Sequence, residues 1–298
     1  MRQITCPVCS TDPVNPPESH SIHVCSSCGL RWTYLPGEVD TSALYTDEVY
    51  AVVDNRKSIF EQIIFSEAEK VLAKARKLHP KAKSLLDFGS GKGQFLAIAK
   101  DAGWQGVGIE TAAERADFAR KNYEVEVRQE FYAGGKIGDG RFDFITLNHV
   151  LEHLPEPLAL VSELLNANLN PDGLVYIEVP RADSWQAKIA GKSWMHWDIP
   201  KHLTHWTASG MEGEFSKTGF QKVGSRKFSI HLGVLGMLQA MLSKIGYRNN
   251  IILQLKRKKS LGLMALIALV LPLAVGLELL SCGFDRSGIF GIYLKKHE

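Results

Sequence analysis

The chain has 298 residues, of which 45% are hydrophobic and 22% charged, and its formal net charge is +3. This composition excludes a disordered or collagen-like chain, and the length predicts one full α/β domain with residues left over for a small module. So small a net charge makes no case by itself for a nucleic-acid partner. The opening MRQITCPVCS lacks the apolar core of a signal peptide, so a cytoplasmic catalytic part with reduced cysteines is expected.

The first element in chain order is a cysteine framework. Four of the five cysteines form Cys6-x2-Cys9 and Cys25-x2-Cys28, with 15 residues between the pairs. Each C-x2-C pair can offer two thiolates to one ion, and two pairs complete a tetrahedron. Residues 1–35 are therefore read as a zinc ribbon whose ion is closed by four thiolates and is structural, stapling a segment too short for a core of its own. The missing export signal argues against disulfides. Cys282 sits in an apolar context and reads as a packed thiol.

Residues 36–80 read as a linker and a leading helix. Apolar positions at Ile59, Ile63, Ala68, Val71, Leu72 and Ala75 recur as an amphipathic helix requires. A buried strand, Ser84 to Phe88, then meets a glycine loop, "DFGSGKGQF", and a second helical pattern at Phe95, Leu96, Ile98 and Ala99. Glycines in such a strand-to-helix turn permit positive φ and close approach of a ligand, and the helix start offers unpaired N–H groups. A Walker loop fails because Gly91-Lys92 is followed by Gly93, and Leu86 stands where its first glycine belongs. A dinucleotide loop fails because Gln94 replaces the third glycine, and Asp87 would repel a pyrophosphate. S-adenosylmethionine carries an ammonium, a sulfonium and a carboxylate but no phosphate, so a nearby acid is tolerated or useful.

The stretch D-x-G-x-G-x-G at 87–93 resembles motif I of the class I S-adenosylmethionine-dependent methyltransferases, and three further landmarks follow in order. "GWQGVGIE" places Glu110 at the end of a second strand, 21 residues beyond Gly89, where ribose hydroxyls want an acceptor. "RFDFITLNHVLEHLPEP" gives a strand from Phe142 to Leu147 running into a segment similar to the family's post-strand stretch. "LNPDGLVYIEVP" gives a Pro-Asp-Gly turn and a strand from Leu174 to Val179. The resemblance implies that Asp87, Gly89, Gly91 and Gly93 cradle the methionine part of the donor, that Glu110 takes the ribose, and that Asn148 and His149 border the transferred methyl. Glu130, after a third strand at Val125 to Val127, is a candidate for the adenine site.

Residues 184–207 hold four of the six tryptophans and three of the ten histidines. In the family this stretch shapes the acceptor pocket, and "DIPKHLTHWT" is similar to an Asp-x-Pro-Arg-His-Leu-x-His-Phe stretch of small-molecule and sugar methyltransferases. Lys201 stands for the usual arginine and lacks its bidentate reach. His202, His205 and His153 are candidate general bases, since an imidazole titrates near pH 7, at about 6.5 unperturbed. Capping and packing are the competing roles, and positioning alone can carry an SN2 transfer from an activated donor.

A sixth strand is expected near Phe220 to Phe228 and a seventh in "SGIFGIYLKK". Between them lies an apolar helical insertion, residues 230–284. It comprises an apolar segment at 230–246, a Lys-Arg-Lys-Lys cluster at 256–259, and a 20-residue run at 261–280 whose single charge is Glu278. The run is long enough to cross a bilayer, but a returning seventh strand requires both ends on one side, so a helical pair at the interface fits, with Pro272 kinking the second helix. The basic cluster suits anionic headgroups. A two-pass hairpin also returns both ends to one side, and a dimer interface and a lid over the pocket are the alternatives to membrane contact.

The chain is thus expected to be α/β, a Rossmann-like methyltransferase fold with a mostly parallel seven-stranded sheet and an antiparallel last strand. Its expected domains are a ribbon at 1–35, linker and leading helix at 36–80, and the methyltransferase domain at 81–298. The expected cofactors are S-adenosylmethionine and structural zinc. The acceptor is expected to be a small molecule, glycan or lipid-linked compound, O-methylated at the inner face of the membrane, with a homodimer left open. Two alternatives stand beside it: a zinc-ribbon RNA methyltransferase, disfavoured because residues 1–35 hold only Arg2 and Arg31 as fixed cations, and a membrane-tethered module that binds the donor without using it.

Overall fold

Near-continuous apolar runs need burial on both faces, and in the computed structural model they form the centre of a seven-stranded sheet ordered β5-β4-β3-β6-β7-β10-β9. The structure describes residues 3–15, 17–38, 52, 54, 56–247, 251, 254 and 261–297. The chain divides into two compact units: Met1–Val39 with Pro180–Gly210 and Lys227–Phe290, and Asp40–Val179 with Met211–Arg226 and Gly291–Glu298.

The second unit carries this sheet. Its parallel strands are β3 (Ser84–Phe88), β4 (Gln105–Glu110), β5 (Glu126–Gln129), β6 (Phe142–Asn148) and β7 (Leu169–Pro180). β10 (Ile289–Lys296) enters between β7 and β9 (Phe220–Arg226) and runs antiparallel to β9. Helices α2 (Gln94–Asp101), α3 (Ala113–Tyr123) and α4 (Pro157–Asn168) connect the parallel strands, and α6 (Ala208–Lys217) precedes β9. The expected leading helix is α1 (Ile59–Leu78). Ser58 caps it by accepting the Glu61 N–H at 3.1 Å, and its Ala68, Val71, Leu72 and Ala75 join the core with Leu85, Phe144, Tyr176 and Tyr293. Three boundaries move from the sequence reading, the sixth strand ending at Arg226 and not Phe228. The third strand starts and ends later, at Glu126–Gln129. β7 begins at Leu169, so the Pro-Asp-Gly stretch is an irregularity within its pairing to β6 and not a turn before it.

In the first unit, β1 (Ile22–Val24) and β2 (Arg31–Thr33) form a hairpin, to which β8 (Thr204–His205) adds a third antiparallel strand. α5 (Trp185–Ala190), α7 (Leu235–Lys244) and α8 (Leu261–Gly283) pack on one another, with a π-helical turn at Ile230–Val234 leading into α7. Met237, Leu238, Leu242, Ile267 and Ala274 form their shared core. α8 continues through Pro272 as one element. Its buried side holds Glu278, whose carboxylate accepts the Gly288 N–H at 2.8 Å and the Ser281 hydroxyl at 3.3 Å. The opposite side is open: Leu269 is 78% exposed and Leu273 58%. The Lys-Arg-Lys-Lys cluster lies outside the described residues.

Candidate functional site

The turn from β3 into α2 is built from three left-handed glycines, with φ of 76° at Gly89, 55° at Gly91 and 77° at Gly93. A methyl group on Gly89 would meet Val150 at 2.5 Å and one on Gly93 would meet Ala119 at 2.6 Å, whereas nothing lies within 4 Å of that position on Gly91. The outer two glycines therefore let the loop seat against its neighbours, and the middle one leaves its approach open. The loop is tied to the next strand by Gly89 and Ser90 N–H groups donating to the Ile109 carbonyl, each at 2.9 Å.

Glu110 ends β4 beside this loop. One carboxylate oxygen accepts the Gly91 N–H and the other the Ala112 N–H, both at 2.8 Å. The carboxylate is thereby fixed in orientation with lone pairs to spare for hydroxyl donors. Asp87, near the end of β3, is 2% exposed and accepts the Thr146 hydroxyl at 2.6 Å and the Asn148 amide at 3.5 Å. Burial pushes its carboxyl up to about 6 against those hydrogen bonds. Two acids, Asp87 and Glu110, stand beside the loop, while its own Lys92 lies 5.5 Å over the Phe118 ring. This suits a cation better than a phosphate. Glu130 follows β5 and is exposed, and its N–H donates to the Glu110 carbonyl at 3.2 Å.

After β6 the chain turns at His149, a non-glycine residue with φ of 56°, whose N–H donates to the Glu178 carbonyl at 2.9 Å. Its two ring nitrogens both face carboxylates, Nε2 lying 3.2 Å from Glu178 and Nδ1 3.5 Å from Glu152. Burial works against the charged ring, but the hydrogen bonds from Glu152 and Glu178 outweigh it and push the group up to about 9. His149 is thus an imidazolium at neutral pH. The chain of charges continues: Arg226 at the end of β9 pairs with Glu178 and lies 3.2 Å from Glu67 of α1, and the Tyr176 hydroxyl donates to Glu178. Burial would raise Glu178, yet Arg226 and His149 hold it well below the carboxylate range. Glu67, Glu152, Glu178 and Arg226 escaped the sequence reading. Glu178 had one signal, a lone acid in an apolar strand. Arg226 had none, for its partner lies 48 residues away.

In the first unit the four cysteines converge, their Sγ atoms all within 4.8 Å of one another. The separations of 3.6 Å for Cys6–Cys28 and 3.4 Å for Cys9–Cys25 are far longer than a disulfide of about 2 Å, and near the roughly 3.8 Å edge of a tetrahedron with 2.3 Å zinc–sulfur bonds. The two loops share one backbone device, in which Ser10 N–H donates to Cys6 O and Gly29 N–H to Cys25 O, with φ of 56° and 75° at the donor. The donor set and its spacing fit zinc.

The candidate bases are divided between the units. His153 ends a 3-10 turn, Leu151–His153, in the second. His202 and His205 are both buried in the first. His202 Nδ1 donates to the His196 carbonyl at 2.7 Å. The Thr33 hydroxyl donates to the His202 carbonyl at 2.6 Å and so accepts from His205 Nε2 at 3.0 Å. Trp197 packs edge-on against His205 at 4.9 Å. Lys201 is buried as well.

Comparison with known proteins bears on this geometry. A family profile described as a methyltransferase domain matches residues 60–224. A ubiquinone biosynthesis O-methyltransferase of Actinobacillus pleuropneumoniae is 33% identical over 104 residues, covering 32% of this chain and 44% of the relative. An uncharacterized methyltransferase of Mycobacterium leprae is 32% identical over 101 residues, covering 33% and 37%. The matched region thus spans less than half the length of these curated relatives. Among solved structures, the plantazolicin methyltransferase in complex with SAH superposes with a TM-score of 0.53 at 17% identity, over 86% of this chain and 94% of that one. A SAM-dependent methyltransferase from Archaeoglobus fulgidus gives 0.52 at 16%, over 84% and 100%. At such identities the superpositions speak for the fold.

Proposed function

The chain belongs to the class I S-adenosylmethionine-dependent methyltransferase family, and on that premise we propose that it methylates an oxygen of a small-molecule, glycan or lipid-linked acceptor at a membrane surface. The observation that carries the donor half is the glycine loop with Glu110 spanning the Gly91 and Ala112 N–H groups and with Asp87 buried beside it. When bound there, the donor supplies a methyl group already activated by the sulfonium charge. The residues have four tasks. The open face of Gly91 admits the donor. Glu110 orients hydroxyls and Asp87 offsets positive charge. His149, held between two carboxylates that favour its charged form, fixes the turn after β6. Catalysis then rests on positioning. Cys6, Cys9, Cys25 and Cys28 would hold zinc as a coordinatively closed staple, with no part in the transfer.

Support for an oxygen acceptor comes from the O-methyltransferase relative. The membrane reading is supported by α8, 23 residues long with a mean hydropathy of 2.5 and only 11% of its apolar window buried. The test has two steps. Calorimetry with S-adenosylhomocysteine should show binding to the wild type and at least a hundredfold loss in Gly91→Trp, where the ring fills the approach. Labelled donor incubated with a membrane extract should then place label in the lipid or glycan fraction. Unaltered affinity in Gly91→Trp refutes the donor placement. Intact donor binding with no labelled product in any extract refutes the enzyme in favour of a donor-binding module.

A further inference from the structure

Far from the glycine loop, where β6 and β7 begin and β10 ends, the second unit holds a cleft of about 640 Å³. Its rim is basic. His79 and Lys81 come from the chain after α1, Arg141 from the residue before β6, and Lys295, Lys296 and His297 from the end of β10. Among the described residues that line it, four fixed cations stand with one carboxylate, Asp172. Some exposed cations of this unit are paired, as in Lys217–Glu214 and Arg120–Asp117. Among the described residues, Lys81, Arg141, Lys295 and Lys296 form no salt bridge. The Arg141 guanidinium donates to the Leu169 carbonyl at 2.7 Å, which fixes its plane and leaves its other N–H groups to a ligand. Beneath the rim, Leu78, Leu165 and Leu169 supply an apolar floor.

A fork-shaped guanidinium with several ammonium groups around it matches the oxygens and charge of a phosphate, and the floor adds a place for a carbon skeleton. We propose that this cleft is a second ligand site, one that binds a phosphomonoester with its phosphate on the basic rim and its organic part on the apolar floor. It is separate from the donor site, because β6 runs the seven residues between Arg141 and His149, roughly 20 Å of extended chain. The proposal does not depend on the nature of the methyl acceptor.

The test uses the full chain saturated with S-adenosylhomocysteine, titrated with phenyl phosphate and with inorganic phosphate at physiological salt. Phenyl phosphate should bind about tenfold more tightly than inorganic phosphate, reflecting the floor. The double variant Arg141→Gln, Lys295→Gln should weaken it at least about tenfold while the S-adenosylhomocysteine affinity and the thermal midpoint stay put. A second arm distinguishes the source of the phosphate, in a Leu269→Asp, Leu273→Asp background so that α8 does not itself hold the protein on vesicles: flotation with phosphatidic-acid vesicles that is lost on adding Arg141→Gln and Lys295→Gln identifies a lipid headgroup, and phenyl phosphate binding without flotation identifies a soluble ligand. The proposal is overturned if phenyl phosphate does not bind or binds the double variant equally well. It is likewise overturned if a single-stranded RNA is held by the rim while phenyl phosphate is not.

Discussion

The two units assemble their sites over different distances in sequence. In the second, the glycine loop, Glu110 and the turn at His149 follow one another between residues 87 and 149, each at the end of a parallel strand of one sheet. In the first, the cysteine ribbon closes its sheet with β8, and the Thr33 hydroxyl reaches a carbonyl 169 residues on. The second unit shows that a site made of strand ends needs only the order of the strands. The first shows that a small module lacking a core recruits distant chain, with a metal-sized thiol cluster at one end and packed apolar helices at the other.

The largest effect expected falls on the first unit. Cys25→Ser should abolish binding of one zinc equivalent, and the lost site is worth on the order of 10 kcal/mol by analogy with structural zinc peptides. Metal analysis and circular dichroism would show it, with donor affinity little changed; a zinc-free but fully folded wild type would sink the metal reading. Next comes the charge chain of the second unit. Arg226→Met removes the cation of Glu67 and one of the two cations of Glu178, both buried, and should cost about 3–5 kcal/mol in urea unfolding, part of which Glu178→Gln should restore.

His149 extends this contrast to pH. Its folded value of about 9 exceeds the ordinary 6.5, so the stability it contributes is fully present below 6.5 and is lost as pH rises through 9. Wild type should lose on the order of 2–3 kcal/mol over that window, and His149→Gln should lose none of it. At Asp87 the effect is on binding. A cationic donor favours the carboxylate, so affinity should fall about tenfold per pH unit below about 6, and Asp87→Asn should flatten the profile. The smallest effect on folding is expected at the exposed face of α8. Leu269→Asp with Leu273→Asp should change stability by less than about 0.5 kcal/mol, yet remove the protein from anionic vesicles in flotation. Retained flotation would shift the weight to other surfaces.

Much of this molecule was legible in its residues. The strand from Ser84 to Phe88, the glycine turn, the acid at Glu110, the helix over α1 and the four-cysteine spacing all depend on neighbours within a few residues or on strict order, and each stands where the pattern puts it. The seventh strand between its neighbours followed from the same order. Other features were hidden. Val125–Val127 was displaced because a short edge strand takes its limits from the register with β4. Glu178 showed only as a lone acid in an apolar strand, and Arg226 carried no pattern, because the partners of both lie far away in sequence. The stretch from His202 to Trp206 resembled an acceptor segment, and no local signal announced that Thr204 and His205 pair with Trp32 and Arg31.

Residue spacing alone determined the glycine turn and the thiol cluster, because backbone conformation at glycines and ligand spacing at cysteines are short-range properties, and the ordered motifs that resemble a known family implied the fold. The tertiary structure alone decided the protonation of His149, the burial of the histidines on β8, the open face of α8 and the basic cleft. Those depend on which charges and apolar surfaces meet after folding, and Coulomb attraction and exclusion of water act between residues that are neighbours only in space.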